Sequence, residues 1–454
     1  MKRLLACLLA AACLLSLASC AQSPQATRAA RYVRYAAELP QPAQYPSGAE
    51  DFESSGEAQQ KAFVDAYNAW DAAREERLNA SEGAVLAGFF SRTAPQLFAG
   101  TDGENRVCSP VNLYLALAML AECTDGETRG QVLQVLDAAD IDALRKDADG
   151  VWTSSYCDDG LLLSVPAASV WLRDDDRIAY RDETLQVLQK TYHASSFCGS
   201  MGTDGYRDAL RNWLSEQTGG QLEQQTDNVR MNADTALILA ATLQLRMTWS
   251  DPFSEELTDT QTFHAPDGDR EVAMMHETDT ACYYRAAQYG AVRKAAEDGV
   301  QMWLLLPDEG VTPEAVLAAP ALFRRLSGDE AAWDSVDLKT LHLSLPRFDV
   351  SSGLDLTQDM RALGITDVFD ADRADFSPLC GTGDALTLSE ATHAARVRID
   401  ETGGTGTAFT EMAFKAAAAA DEPDDLDFTL DRPFVFVIVS ENGLPLFCGI
   451  VNRP

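Results

Sequence analysis

The chain has few of the residues that hydrolases and metalloproteins depend on. Among its 454 residues are five histidines, and none of them is spaced with a cysteine or another histidine as zinc ligands are. No Gly-x-Ser-x-Gly or Ser-x-x-Lys context marks a serine nucleophile, and no Cys-x-x-Cys pair occurs. The sequence therefore argues against a metal site and against a secreted Ser/His hydrolase, and it implies no cofactor.

Positive charge is also scarce. The 36 Lys and Arg residues are outnumbered by 70 Asp and Glu residues, which gives a formal net charge of −34. Nucleic acid is not an expected partner, because binding to phosphates needs a basic face that is not visible in this sequence. An acidic surface mainly keeps a protein soluble.

Long apolar runs are confined to the first twenty residues. Lys2 and Arg3 precede an apolar stretch over residues 4–17, as in a targeting segment. Residues 17–20, Leu-Ala-Ser-Cys, resemble a bacterial lipobox in which Cys20 is lipidated, and a plain secretory signal is the alternative. Two acyl chains would suffice for stable anchoring. We expect a lipoprotein on the extracellular face of a bacterial membrane, or a secreted protein.

Seven cysteines follow Cys20, an odd number. Several lie in apolar surroundings, so buried free thiols are the default interpretation and one disulfide is the alternative.

The rest of the chain divides into three parts. Residues 21–56 are rich in Pro, Ala, Gln and Ser and predict a flexible spacer. Residues 57–82 carry apolar side chains at helical spacing and predict an extra N-terminal helix. Residues 83–454 contain no second linker and predict one large domain.

Within that domain the pattern is helical early and strand-like late, which predicts an α+β fold. The predicted helices are 85–98, 112–121, 128–136 and 206–217, and the predicted strands are 301–306, 339–345, 394–399 and 434–439.

Ten short motifs follow one another in this domain, among them Asn-x-x-x-Ser-Pro at 105–110, Thr-Trp at 248–249, Leu-Pro-Arg-Phe at 345–348 and the C-terminal run 444–454. In content and order they resemble the motifs of serpins, the serine protease inhibitors that act by strand insertion. Each motif alone has a core-packing explanation, but the ordered set over about 370 residues does not. The resemblance implies helices over a large central sheet, further sheets, an exposed reactive-centre loop, a monomer and a suicide substrate instead of an enzyme.

The hinge of that loop follows a strand-like run that ends at Ile399. By resemblance the hinge comprises Glu401, Gly403, Gly404, Thr405, Gly406, Thr407, Ala408, Phe409 and Thr410. Small uncharged residues suit a segment that must enter a sheet, with alternate side chains facing its core. Two positions depart from the family pattern: Gly404 replaces the usual Thr or Ser, and Phe409 replaces the usual Ala.

The scissile bond is placed by counting about sixteen residues beyond Glu401, as the resemblance implies. This gives Ala417–Ala418, which suits the shallow pocket of an elastase-like serine protease. The loop is somewhat long, so cleavage after Phe414 by a chymotrypsin-like enzyme or after Lys415 by a trypsin-like enzyme stays open. A non-inhibitory serpin or a cleaved substrate, acting as a surface binding lipoprotein, is the alternative function.

The resemblance also implies a gate through which the loop enters the sheet. The matching residues here are Ser109, Pro110, Ala241, Trp249 and His393. In the family an Asn belongs to the network around the His, and Ala241 stands at its position. Another group must therefore satisfy His393, and we expect Thr242 or a water molecule to do so.

Overall fold

The computed structural model describes residues 29–47, 52, 55–81, 83–220, 231–381, 386–404 and 423–454. Cys20 lies outside the described residues. The hinge positions and cleavage positions that also lie outside them are Thr405, Gly406, Thr407, Ala408, Phe409, Thr410, Phe414, Lys415, Ala417 and Ala418.

The helices of the described chain are α1 (Glu57–Leu78), α2 (Gly83–Leu97), α3 (Pro110–Cys123), α4 (Gly126–Leu136), α5 (Ile141–Ser155), α6 (Asp182–Thr191), α7 (Asp204–Gln217), α8 (Pro313–Leu317), α9 (Leu322–Leu326) and α10 (Thr357–Ala362). The strands are β1 (Val33–Tyr35), β2 (Arg106–Cys108), β3 (Cys157–Asp158), β4 (Leu163–Arg173), β5 (Ala194–Gly199), β6 (Leu237–Thr248), β7 (Asp259–Ala265), β8 (Gly268–Ala286), β9 (Tyr289–Ala295), β10 (Gln301–Pro307), β11 (Ser335–Pro346), β12 (Phe348–Asp355), β13 (Glu390–Ile399), β14 (Gly403–Gly404), β15 (Asp425–Thr429), β16 (Phe434–Val439) and β17 (Pro445–Val451).

The strands form two sheets. The first has the order β1-β5-β4-β6-β13-β12, with β3 paired to β4 and β14 paired to β6. The second has the order β15-β11-β8-β9-β10-β16-β17-β2, with β7 paired to β8. The continuous apolar strand β16 is buried along its whole length, as expected for a strand inside a sheet that is covered on both faces. This arrangement of helices and sheets confirms the predicted α+β class.

The helix α3 lies in the core, where it packs against β4, β6 and β17. Ser109 is its N-cap, and Pro110 occupies the first turn, where a missing N–H costs nothing. A separate aromatic cluster holds α7 on the first sheet, with Trp171 stacked on Phe197 at 4.0 Å and Trp213 at the edge of both rings. Both helices therefore lie against the strands where the loop is expected to act.

The N-terminal segment differs from the prediction. Part of residues 21–56, predicted as a flexible spacer, is the strand β1, in which Val33 pairs with Phe197 of β5. The Tyr45 N–H also donates to the Asp159 carbonyl oxygen at 2.8 Å. The spacer prediction is wrong for Val33–Tyr35, because the edge of the sheet supplies the hydrogen bonds that this segment cannot make by itself. Residues 57–82, predicted as a helix, contain α1.

Candidate functional site: a gap in the first sheet

The strands β6 and β13 run parallel but are joined at one end only. Backbone pairing is confined to Ile238 with Glu390 and Leu239 with Ala391. Beyond these pairs, residues 240–246 of β6 have no partner on β13 among the described residues. On its other side, β6 pairs with β4 over residues 237–246, and β13 pairs with β12 over residues 392–399. The first sheet therefore has an unpaired stretch, here called the gap, between β6 and β13.

The hinge turns into the open end of this gap. Asp400 bridges to Gly403, so the chain reverses at Glu401 and Thr402. The returning strand β14 is antiparallel to β6 and pairs with residues 247–248. Two residues of the predicted hinge thus already pair with β6 at the end of the gap.

Gly403 needs to be glycine at this turn. Its φ is +133°, a conformation that side chains rarely adopt, and a Cβ there would lie 2.4 Å from the Met247 carbonyl oxygen. At Gly404 a Cβ would have its nearest contact at 3.5 Å, from the Arg398 carbonyl oxygen, which is an ordinary distance. The first glycine is therefore required by the backbone, and the second leaves room for a side chain.

Trp249, the residue after β6, stabilises the turn through hydrogen bonds. It is 1% exposed, and its indole N–H donates to the Asp400 carbonyl oxygen at 3.1 Å. Its backbone N–H donates to the Thr402 carbonyl oxygen at 3.0 Å, and the Phe253 N–H donates to that of Glu401 at 2.9 Å. These bonds hold the base of the hinge in one position.

The Glu401 carboxylate is buried in the same turn. It accepts a hydrogen bond from the Thr258 hydroxyl at 2.6 Å and others from the Arg347 guanidinium, one of them at 2.7 Å. Burial alone would raise the pKa of Glu401, but the donors Arg347 and Thr258 hold that pKa below its ordinary value. Glu401 is thus a fixed, charged anchor at the start of the predicted hinge.

The gate residue His393 lies on β13, 3% exposed. Its Nε2 accepts a hydrogen bond from the Ser109 backbone N–H at 3.0 Å, at the start of α3. Burial lowers the pKa of His393 from 6.5 to about 4, so the ring is neutral at pH 7. The partner of the histidine is this N–H; the Thr242 hydroxyl, which we expected, is buried without a partner among the described residues.

Two further gate residues, Pro110 and Ala241, lie in different elements. Pro110 is buried at the start of α3, and Ala241 pairs with Ala168 inside the sheet, where it contributes no polar group. The amide of Asn112, oriented so that both of its ends are satisfied, donates to the Thr242 carbonyl oxygen at 2.9 Å and accepts from the Leu243 N–H at 2.7 Å. Asn112, which is not among the predicted gate residues, therefore connects α3 to β6 through its side chain.

A cavity of about 210 Å³ opens between the two strands at this end of the sheet. Leu245 and Met247 line it from β6, Val397 and Ile399 from β13, and Gly404 at its mouth. The Gly-Gly pair at 219–220 that follows α7 also lines it. Arg396 and Arg398 of β13 line it as well, so the space available to a new strand is bounded by both apolar and charged residues.

The family comparison agrees with this geometry. The model of the family Serpin (serine protease inhibitor) matches residues 87–454. The chain belongs to the serpin family. This is a family of serine protease inhibitors, and the ten ordered motifs identified it correctly.

Similar proteins span nearly the whole serpin domain. The chain is 27% identical to serpin B9 of Homo sapiens over 373 residues, 77% of this chain and 93% of the relative. It is 25% identical to plasminogen activator inhibitor 1 of Sus scrofa over 382 residues, 79% of this chain and 89% of the relative.

Solved structures share the fold at lower identity. The crystal structure of the thermophilic serpin tengpin in the native state matches with a TM-score of 0.71 and 22% identity, covering 82% of this chain and 94% of that one. A complex of thyroxine-binding globulin with thyroxine matches with a TM-score of 0.69 and 20% identity, covering 82% and 99%.

Two further observations bear on the sequence predictions. The seven cysteines after Cys20 form no disulfide among the described residues, and five of them are buried. Within the part of the chain that the structure describes, no helix has the length and apolarity needed to span a membrane.

Proposed function

We propose that this serpin is an inhibitor that traps its protease by inserting the cleaved loop between β6 and β13. The observation that carries the proposal is the antiparallel pairing of Gly403 and Gly404 with β6 at the mouth of the gap. Hydrogen bonds that the intact sheet lacks are then available to an inserted strand, and their formation drives the change.

The length of the gap supports this assignment. Residues 240–246 of β6 extend over roughly 23 Å, the length of about seven strand residues. The seven residues that follow Gly404 are 405–411, and the first six carry no charge. Phe409 is the one bulky side chain among those six, and we expect insertion to be slower than with Ala at that position.

The target we propose is an elastase-like serine protease, with cleavage at Ala417–Ala418. A small residue at the scissile bond fits a shallow substrate pocket of the protease, and such a pocket selects substrates by their shape. Cleavage after Phe414 or Lys415 would instead indicate a chymotrypsin-like or trypsin-like target. We also propose that lipidated Cys20 anchors the protein on the extracellular face of a bacterial membrane, where the protein acts as a monomer.

A denaturing gel tests the inhibitory function. The soluble form, starting after Cys20, is mixed with pancreatic elastase, and cleavage is located by mass spectrometry. We expect a covalent band at the summed mass and cleavage after Ala417. An Ala417→Arg variant should form the band with trypsin in place of elastase.

Clean cleavage without the heavy band, with elastase-, trypsin- and chymotrypsin-type enzymes alike, would contradict inhibition. That outcome would leave the second candidate, a serpin fold that serves as a binding lipoprotein.

A further inference from the structure

A lysine is buried between the second sheet and the segment that stabilises the hinge turn. Lys294 lies on β9 and is 6% exposed. Its ammonium group lies against residues 249–253, the segment that follows β6. Because a lysine is almost never fully buried unless its charge is paired, the contacts of this ammonium group indicate what the residue does.

The ammonium group has partners on two sides. On the second sheet it forms an ion pair with the Glu277 carboxylate of β8. On the other side it donates a hydrogen bond to the Asp251 carbonyl oxygen at 2.9 Å. It also lies 4.2 Å from the centre of the Phe253 ring and 5.6 Å from that of Trp249, within the range of cation–π attraction. The charge thus connects the second sheet to the segment 249–253.

The same segment fixes the hinge turn. The Trp249 and Phe253 backbone N–H groups donate to the carbonyl oxygens of Thr402 and Glu401, and the Trp249 indole N–H donates to that of Asp400. A shift of the segment would therefore shift the base of the hinge.

Lys294 holds the part of the segment that the backbone does not. The Ser250 N–H donates to the Ala295 carbonyl oxygen of β9 at 3.2 Å. Beyond Ser250, the bond from Lys294 to Asp251 is the one hydrogen bond in the described chain that joins residues 251–253 to the second sheet.

The ion pair by itself contributes little to stability. Burial raises the pKa of Glu277, and Lys294 opposes this shift only in part. Because desolvation offsets much of the attraction between buried charges, an apolar pair of similar volume would stabilise the fold about as well. An apolar pair would not supply a donor to the Asp251 carbonyl oxygen. This hydrogen bond to the segment is what the lysine adds.

We propose that Lys294 is a positioning residue for loop insertion. By holding the Asp251 carbonyl oxygen, it keeps the segment 249–253, and with it the turn at Glu401 and Thr402, in the position from which the cleaved loop enters the gap. Without this bond the turn moves, insertion slows, and water releases the protease from the acyl-enzyme before it is trapped. The inference rests on the proposed inhibitory function.

Hydrogen exchange of the intact protein tests the hold on the segment without a protease. Lys294→Met keeps the length of the side chain and removes the donor. We expect the amides of residues 249–253 to exchange about tenfold faster, relative to those of β16, as the loss of one hydrogen bond allows. The double variant Lys294→Met/Glu277→Met also removes the unpaired carboxylate. It should regain stability in urea but keep the fast exchange, because the Asp251 carbonyl oxygen still lacks its donor.

Arg145→Met is the matched control. It breaks an ion pair with another buried carboxylate, that of Glu122, near the end of α3 that is farther from Ser109. This variant should lose stability but leave the exchange of residues 249–253 unchanged. With pancreatic elastase on a denaturing gel, the double variant should give less covalent complex and more free cleaved protein than either Arg145→Met or the unaltered protein.

The proposal is overturned if both Lys294 variants exchange over residues 249–253 as the unaltered protein does, or if Arg145→Met speeds that exchange equally. Faster exchange with an undiminished fraction of covalent complex would also overturn it, because Lys294 would then not act on insertion. If the unaltered protein traps no protease, the proposed inhibitory function fails and the role in insertion fails with it. The exchange rates then still decide whether Lys294 holds the segment.

Discussion

The backbone of Gly403 lies against that of Met247 so closely that a Cβ on Gly403 would be 2.4 Å from the Met247 carbonyl oxygen. This contact places the start of the hinge in the gap of the first sheet before any protease acts. The neighbouring Gly404 differs from Gly403, because a Cβ on Gly404 would have only ordinary contacts.

The two glycines should respond differently to alanine. Gly403→Ala should destabilise the hinge by about 1–3 kcal/mol, because it combines a strained φ with a backbone clash. Gly404→Ala is the matched control and should be neutral or stabilising by up to about 1 kcal/mol, since it restricts the unfolded chain. Urea unfolding measures both effects, and equal losses would contradict the role of Met247.

Glu401 should matter more than an exposed ion pair of the same sheet. Glu401→Gln should cost about 1.5–3 kcal/mol, because it weakens buried bonds to Thr258 and Arg347. Asp349→Asn, which disrupts the more exposed pair with Arg396, should cost less than about 1 kcal/mol. Urea unfolding of both variants at pH 7 provides the comparison.

The Glu401 carboxylate should also make the stability of the protein depend on pH under acidic conditions. Its pKa in the folded protein lies below the ordinary value of 4.5, so its stabilising contribution is present above pH 4.5 and is lost as the pH falls through the folded pKa. The Glu401→Gln variant should therefore lose less stability than the unaltered protein below pH 4.5. Parallel pH profiles in that range would refute this contribution.

Because of the buried His393 ring, we expect the protein to lose stability between pH 6.5 and 4. The unfolded chain binds a proton near pH 6.5, whereas the buried ring binds one only near pH 4. The free energy of unfolding therefore falls as the pH drops from 6.5 to 4, by roughly 3 kcal/mol in all. Replacing His393 with Gln should flatten that part of the profile.

The control for this measurement is His342→Gln, at a histidine whose side chain is 42% exposed. It should leave the slope between pH 6.5 and 4 unchanged. An equal flattening in both variants would show that burial of His393 is not the cause.

Trp249 should affect both the stability of the protein and the fraction of protease that it traps. Trp249→Phe removes the N–H that holds the Asp400 carbonyl oxygen and should cost about 1 kcal/mol. Trp171→Phe removes a comparable bond to Ser169 in the same sheet, away from the hinge. We expect only Trp249→Phe to lower the fraction of protease trapped as a covalent complex, measured on gels. A similar fall in both variants would refute a specific role.

Much of the fold is predictable from sequence because its long elements carry strong periodic patterns. The predicted helix 128–136 lies within α4, and the predicted strand 434–439 coincides with β16. The resemblance assigned Trp249 and His393 to the gate and Glu401 to the hinge; in the structure Trp249 contacts the hinge turn, whereas His393 lies farther back on β13, against Ser109. Short elements that depend on tertiary contacts were not predicted. The strand β1, for example, has three residues and depends on the edge of β5.

Within the site, the partners of the predicted residues were harder to find. Arg347 lies in one of the recognised motifs, but the sequence does not indicate that its guanidinium reaches Glu401, 54 residues away. Asn112 lies three residues beyond Ser109, yet an asparagine inside a helix gives no sign that its amide binds a strand. Such pairings depend on how the elements pack, which local patterns do not encode.

Hydrogen exchange of the gap strands tests the central claim most directly. Amides of residues 240–246 in β6 and 392–398 in β13 are followed before and after complete cleavage of the loop by elastase. If the cleaved loop inserts, those amides that face the gap gain partners, and their exchange should slow strongly. Unchanged exchange in both segments after cleavage would show that the gap stays open, and the account of loop insertion would be wrong.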